Sequence, residues 1–147
     1  MLLMNDAAAW ERLCHLLDED ELLWPSVRAA AQDPTADPWG ALLDGLDDAG
    51  ALASLENDDT GMELSDALAQ LPRVFRLQPD LGAVTDTDDL HEAMRTADSI
   101  LARGGFRLLA LDVPDDEEIA LIVVDAAAVA EIGALALTLE RRVAPAA

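Results

Sequence analysis

Phe106-Arg107-Leu108-Leu109-Ala110-Leu111-Asp112-Val113, then Pro114-Asp115-Asp116-Glu117-Glu118, then Ile119-Ala120-Leu121-Ile122-Val123-Val124: this stretch decides the fold. Two β-like apolar runs joined by a short acidic loop predict a hairpin. Both faces of each run are largely apolar, which predicts inner strands covered by helices. Upstream, Gly104-Gly105 ends a helix that starts in the acidic run Asp86-Thr87-Asp88-Asp89 and continues to Arg103. Downstream, Asp125 is expected to cap a helix with Val129, Ile132, Leu135 and Leu139 on one side, and Arg141 and Arg142 complement its C-terminal dipole. From Ile119 to Leu139 the chain is almost wholly apolar and long enough to cross a bilayer as a helix. Asp125 and Glu131 interrupt it, each costing about 2.5–3.5 kcal/mol at a helix centre. Two buried elements, a strand and a helix, explain it better.

Towards the N-terminus the pattern turns helical. Asn5 or Asp6 caps a first helix to about Leu17, with Trp10, Leu13 and Leu17 on one stripe. Asp18-Glu19-Asp20-Glu21 suits the start of a second helix, which Pro25 is expected to break near Trp24, with resumption from Ser26 to Gln32. Asp37 caps a third helix with Pro38 at its first position, stopped by Gly50. Ala51–Leu55 reads as a short strand, and Glu56-Asn57-Asp58-Asp59-Thr60-Gly61 as a polar turn into a helix from Met62 to Leu71. Arg73–Leu77 alternates and reads as a strand or extended connection, and Pro79–Thr85 as loop. The expected fold is α+β: a single domain over residues 1–147, five or six helices packed on a small, largely antiparallel sheet, with a C-terminal hairpin followed by a helix.

The 147 residues carry 30 Asp+Glu against 9 Lys+Arg, a formal net charge of −21, and every cation is arginine. Hydrophobic residues make up 52%, enough to build a core, so this is not a disordered acidic tail. The charge argues against direct nucleic-acid binding, which needs clustered Lys and Arg. The start has no basic segment and no apolar run suited to a signal peptide, and the single Cys14 provides no disulfide framework. A cytoplasmic protein, outside the membrane, is expected, and the Ala, Leu, Asp and Arg usage is that of a GC-rich bacterial genome.

Organised chemistry is missing. Cys14 and His15 are neighbours on a helix and diverge by about 100°, so they do not face each other. His91 with Asp88 and Glu92 lacks the spacing of a metal site, and no acidic run matches a calcium loop. Asp112 with Asp115 and Asp116 around a metal is the most concrete enzymatic arrangement, and it ranks last. No serine lies in a nucleophile-elbow context and no glycine-rich phosphate loop occurs. Neither catalysis nor a cofactor is expected.

What remains is a strongly acidic surface, which steers a basic partner. In size, acidity, α+β pattern and lack of catalytic residues the chain resembles bacterial immunity proteins, which neutralise a co-encoded secreted toxin. The helix at Trp39–Leu43, the turn at Gly50–Leu55 and the hairpin at Phe106–Val124 also resemble an uncharacterised bacterial domain family. The immunity-protein resemblance implies a cognate toxin with a basic, nucleotide- or nucleic-acid-handling cleft as partner. The expected contact residues are Asp18, Glu19, Asp20 and Glu21 around Trp24, Asp58 and Asp59, and Asp115, Asp116, Glu117 and Glu118. The alternative is an acidic secretion chaperone holding an effector segment in an apolar groove.

Overall fold

A four-stranded antiparallel sheet organises the molecule. It is seen in a computed structural model that describes residues 4–17, 22–114 and 117–145, with the backbone alone at 4–6. The hairpin strands β2 (Phe106–Leu111) and β3 (Glu118–Asp125) are central, flanked by the shorter β1 (Ala53–Glu56) and β4 (Val143–Pro145). In β3, Leu121 and Val123 point to one side while Ala120, Ile122 and Val124 point to the other, and both sets are buried. This is the outcome expected of a strand with no polar face.

Helices α1 (Met4–Leu17), α2 (Leu23–Ala31), α3 (Pro38–Asp48) and α8 (Val129–Thr138) cover the Ile122 side. Trp10 and Trp39 meet there with ring centroids 6.3 Å apart, and the Trp39 indole N–H donates to the Asp112 carbonyl at 2.6 Å. Helices α4 (Gly61–Ala69), α5 (Pro72–Leu77), α6 (Gly82–Thr85) and α7 (Leu90–Arg103) cover the Leu121 side, around Leu64, Leu68 and Leu101. The fold is α+β, as the sequence predicts. No helix among the described residues is long and apolar enough to cross a membrane; Ile119–Leu139 divides into β3, a 3-10 turn (Ala126–Ala128) and α8.

Several local expectations need correction. The chain is already helical at Met4, the first described residue, so Asn5 and Asp6 lie within α1 rather than at a cap. Pro25 does not break α2, because it falls in the first turn, where a missing N–H leaves no helical bond unmade. Arg73–Leu77 is helical: Pro72 starts α5, and Val74 and Leu77 turn inward three residues apart while Phe75 and Arg76 are exposed, a helical rather than an alternating pattern. Part of the expected 79–85 loop is α6. Asp125 precedes the 3-10 turn without a side-chain cap bond. Arg141 and Arg142 lie beyond α8, whose last helical residue is Thr138; Arg141 pairs with Asp37 at 3.2 Å instead. The strand β4 had no sequence signal.

Caps elsewhere follow the residues. Asp37 accepts from the Trp39 N–H, and Asp89 from the Glu92 N–H. At α4 the N–H and the hydroxyl of Thr60 both donate to the Glu63 carboxylate, which holds its pKa below the ordinary value. Arg12 does the same for Glu131 through a hydrogen bond at 2.6 Å. A depressed folded pKa contributes stability above the unfolded value, lost as pH falls through the folded one. Thermal melts between pH 6 and pH 3 are therefore expected to show Tm falling below about pH 4.5, with a shallower fall in Glu63→Gln. An identical pH profile in that variant would show that the cap carries no part of the slope.

Candidate acidic interface

The antiparallel pairing of β1 with β3 places Glu56 opposite Glu118. Backbone continuity extends past the strand end, where the Asn57 N–H donates to the Glu117 carbonyl at 3.1 Å. Two acidic segments far apart in sequence therefore meet at one end of the sheet. Ser54, Leu55, the 56–59 turn, Glu117 and Glu118 line a depression of about 820 Å³. The turn is closed by Asp59, whose carboxylate accepts from the Glu56 N–H at 2.8 Å while its own N–H donates to the Glu56 carbonyl. Asp58 is exposed at the rim.

A second depression, of about 450 Å³, shares Ser54 and Glu118 with the first and runs between α3 and the β2–β3 hairpin. Asp37, Asp44, Asp47 and Asp112 line it, with Leu43, Leu52 and Val113 as apolar patches. Asp44 and Asp47 are three residues apart on α3, hence on one face. Arg141 is the single cation among the described lining residues of the two depressions, and it is already engaged with Asp37.

Glu56 and Glu118 form a cross-strand pair of like charge, an arrangement that destabilises a sheet. Since Asn57 and Glu117 pair through the backbone, alternation makes Glu56 and Glu118 a non-hydrogen-bonded pair, the kind whose side chains lie closest.

Of the contact residues expected from sequence, Asp58, Asp59, Glu117 and Glu118 come together. Asp18, Glu19, Asp20, Glu21, Asp115 and Asp116 lie outside the described residues. Trp24 lines neither depression and is half-buried against the core. Asp44 and Asp47 were not singled out, although Asp37, Gly40, Asp44 and Asp47 recur at helical spacing opposite Trp39, Leu42 and Leu46. That polar stripe was the available signal.

Cys14 is buried, which pushes its thiol up to about 12, and His15 is exposed, so the two are separated as their helical spacing requires. His91 and Glu92 are exposed on α7. Among the described residues no group of three or more His, Cys, Asp or Glu side chains is placed to hold a metal ion.

No curated protein and no solved structure matches the chain. A family profile described as "Domain of unknown function (DUF6630)" matches residues 9–146, nearly the whole sequence, and the chain therefore belongs to that family.

Proposed function

We propose that this domain is an acidic cytoplasmic immunity protein, which binds and inhibits a cognate secreted bacterial toxin through the face around Asp58, Glu117 and Glu118. The observation that carries the reading is the meeting of the 56–59 turn with the β3 start on one face, continued by Asp44, Asp47 and Asp112. A toxin that handles nucleotides or nucleic acid has a basic cleft shaped to receive phosphates. Carboxylates spread around a shallow depression occupy such a cleft in place of the phosphates and block it. The field of a domain at −21 also accelerates encounter with a cation-rich partner, more so at low salt.

The like-charge pair Glu56–Glu118 supports the same reading. It costs the fold something, and a partner's cation seated between the two carboxylates would relieve it. The test starts from a tagged pull-down at low and high salt, which supplies the partner. Association rates are then measured by stopped flow for wild type and for the double variant Asp58→Lys/Glu118→Lys. The variant is expected to associate at least about tenfold more slowly at low ionic strength, an effect that shrinks with added salt. Its thermal stability should match or exceed that of wild type, because Glu118→Lys turns a repulsive pair into an attractive one. An unchanged association rate would exclude this face as the interface.

A further inference from the structure

We propose that the open edge of β1 takes up an extended, arginine- or lysine-rich segment of the partner as an added strand. The inference rests on the acidic-face reading above and specifies how the partner is held.

β1 pairs on one side only, with β3. The bond from the Asn57 N–H to the Glu117 carbonyl fixes which residues turn their backbone inward. By alternation Ala53 and Leu55 share that direction, while Ser54 and Glu56 turn their N–H and C=O groups away from the sheet. The outward Glu56 N–H is taken by the Asp59 carboxylate. At Ser54 the outward groups open onto the place where the two depressions join, since Ser54 lines both.

The rest of the sheet margin is treated differently. β1 pairs with β3 only as far as Leu121, and beyond it the Val123 carbonyl accepts from the Arg73 guanidinium at 2.7 Å. β4 pairs with β2 only from Leu109 to Leu111, and the uncovered Leu108 N–H donates to Asp98 at 3.0 Å. Pro145 removes a donor from the outer edge of β4 itself. Ser54 thus presents backbone groups at a site ringed by acid.

Charge selects the occupant. Glu56, Asp58, Glu117, Glu118, Asp44 and Asp47 flank this edge, so a second copy of the chain would bring acid against acid. A basic extended segment matches instead: its backbone pairs at Ser54, and its alternate side chains reach the carboxylates on the exposed face.

The test titrates the full-length protein, isotopically labelled, with a ten-residue peptide alternating arginine with valine or threonine. The comparison peptides have the same sequence with every second backbone nitrogen methylated, in either register. These keep the charge and lose the strand hydrogen bonds. The plain peptide is expected to bind at least tenfold more tightly than one of the methylated forms and to slow hydrogen exchange of the Ser54 amide. Ser54→Pro is expected to lose that advantage, and the outward N–H it deletes has no ladder bond. Should that variant fold poorly, the peptide comparison decides alone. Equal affinities for all three peptides, or unchanged exchange at Ser54, would overturn strand addition. If in that case binding still weakens in Asp58→Asn/Glu118→Gln, the acidic-face reading survives without it. No binding of any peptide at low salt would reject both.

Discussion

Replacing Gly61 with alanine is expected to destabilise the protein by about 3–4 kcal/mol, combining backbone overpacking with the loss of one hydrogen bond. Gly61 is the first residue of α4, and the chain from α6 to α7 passes directly across it. Its N–H donates to the Thr87 carbonyl at 2.9 Å, satisfying one of the donors a helix start leaves unpaired. A methyl group there would run into the carbonyl oxygens of both Val84 and Thr87. These are backbone atoms, so relief requires moving the α6–α7 connection away from α4. Such a loss lowers Tm by roughly 10 °C in a chain of this size. The control is the same substitution at Gly133, in the middle of α8, where an added Cβ meets nothing within 4 Å. Gly133→Ala is expected to stabilise by about 0.5–1 kcal/mol, the helix preference for alanine. Urea denaturation of both variants checks the pair. Equal effects at the two positions would mean that the 84–87 backbone yields easily and that Gly61 was not selected by space.

Gly61 also shows where sequence reading stops. The segment Glu56–Gly61 identifies a polar turn before a helix, and that is what forms. That the glycine is required because another backbone lies against it depends on residues 84–87, which no local pattern connects to it. The hairpin was legible because its two apolar runs are too short for ordinary helices, the second is rich in β-branched residues, and both are punctuated by Gly104-Gly105 and Pro114. Segments of five residues or so do not carry that information: Val74, Phe75 and Leu77 fit both a two-residue and a helical period. Val74 and Leu77, three apart, share a helical face, and tertiary burial chose the helix. β4 is shorter still and contains Pro145, which argues against a strand unless the strand lies at an edge.

The site follows the same division. Each acidic run was visible, and the prediction that some would act together was an inference from net charge. Which runs meet depends on the β1–β3 register, and a register is a pairing of distant segments. Once Ala53 is set against Leu121, the placement of Glu56 opposite Glu118 follows automatically. The helical stripe of Asp44 and Asp47 joins the face only because α3 packs beside the hairpin, tied to it by the Trp39–Asp112 hydrogen bond.

The loss of the Arg73 guanidinium should have the second-largest effect, with Arg73→Ala costing about 2–3 kcal/mol, as for charged hydrogen bonds to carbonyls left unpaired. Arg73 reaches from α5 to three carbonyls in two layers: Val123 on β3 at 2.7 Å, and Leu17 and Leu16 at 3.4 and 3.5 Å. The two last carbonyls belong to the last described turn of α1, at the end of the helix where the dipole favours a cation. The Val123 carbonyl needs a donor because β1 has ended before reaching it. One planar side chain therefore closes a helix end and a strand overhang together, a task for a fork of donors rather than a point charge. Arg73→Lys should accordingly recover less than half of the loss measured by urea denaturation, and Arg73→Met, which keeps much of the stem packing, should resemble alanine more than wild type. Full rescue by lysine would show that only the charge matters, and a loss below about 0.5 kcal/mol, within the range of ordinary surface substitutions, would show that water serves these carbonyls equally well.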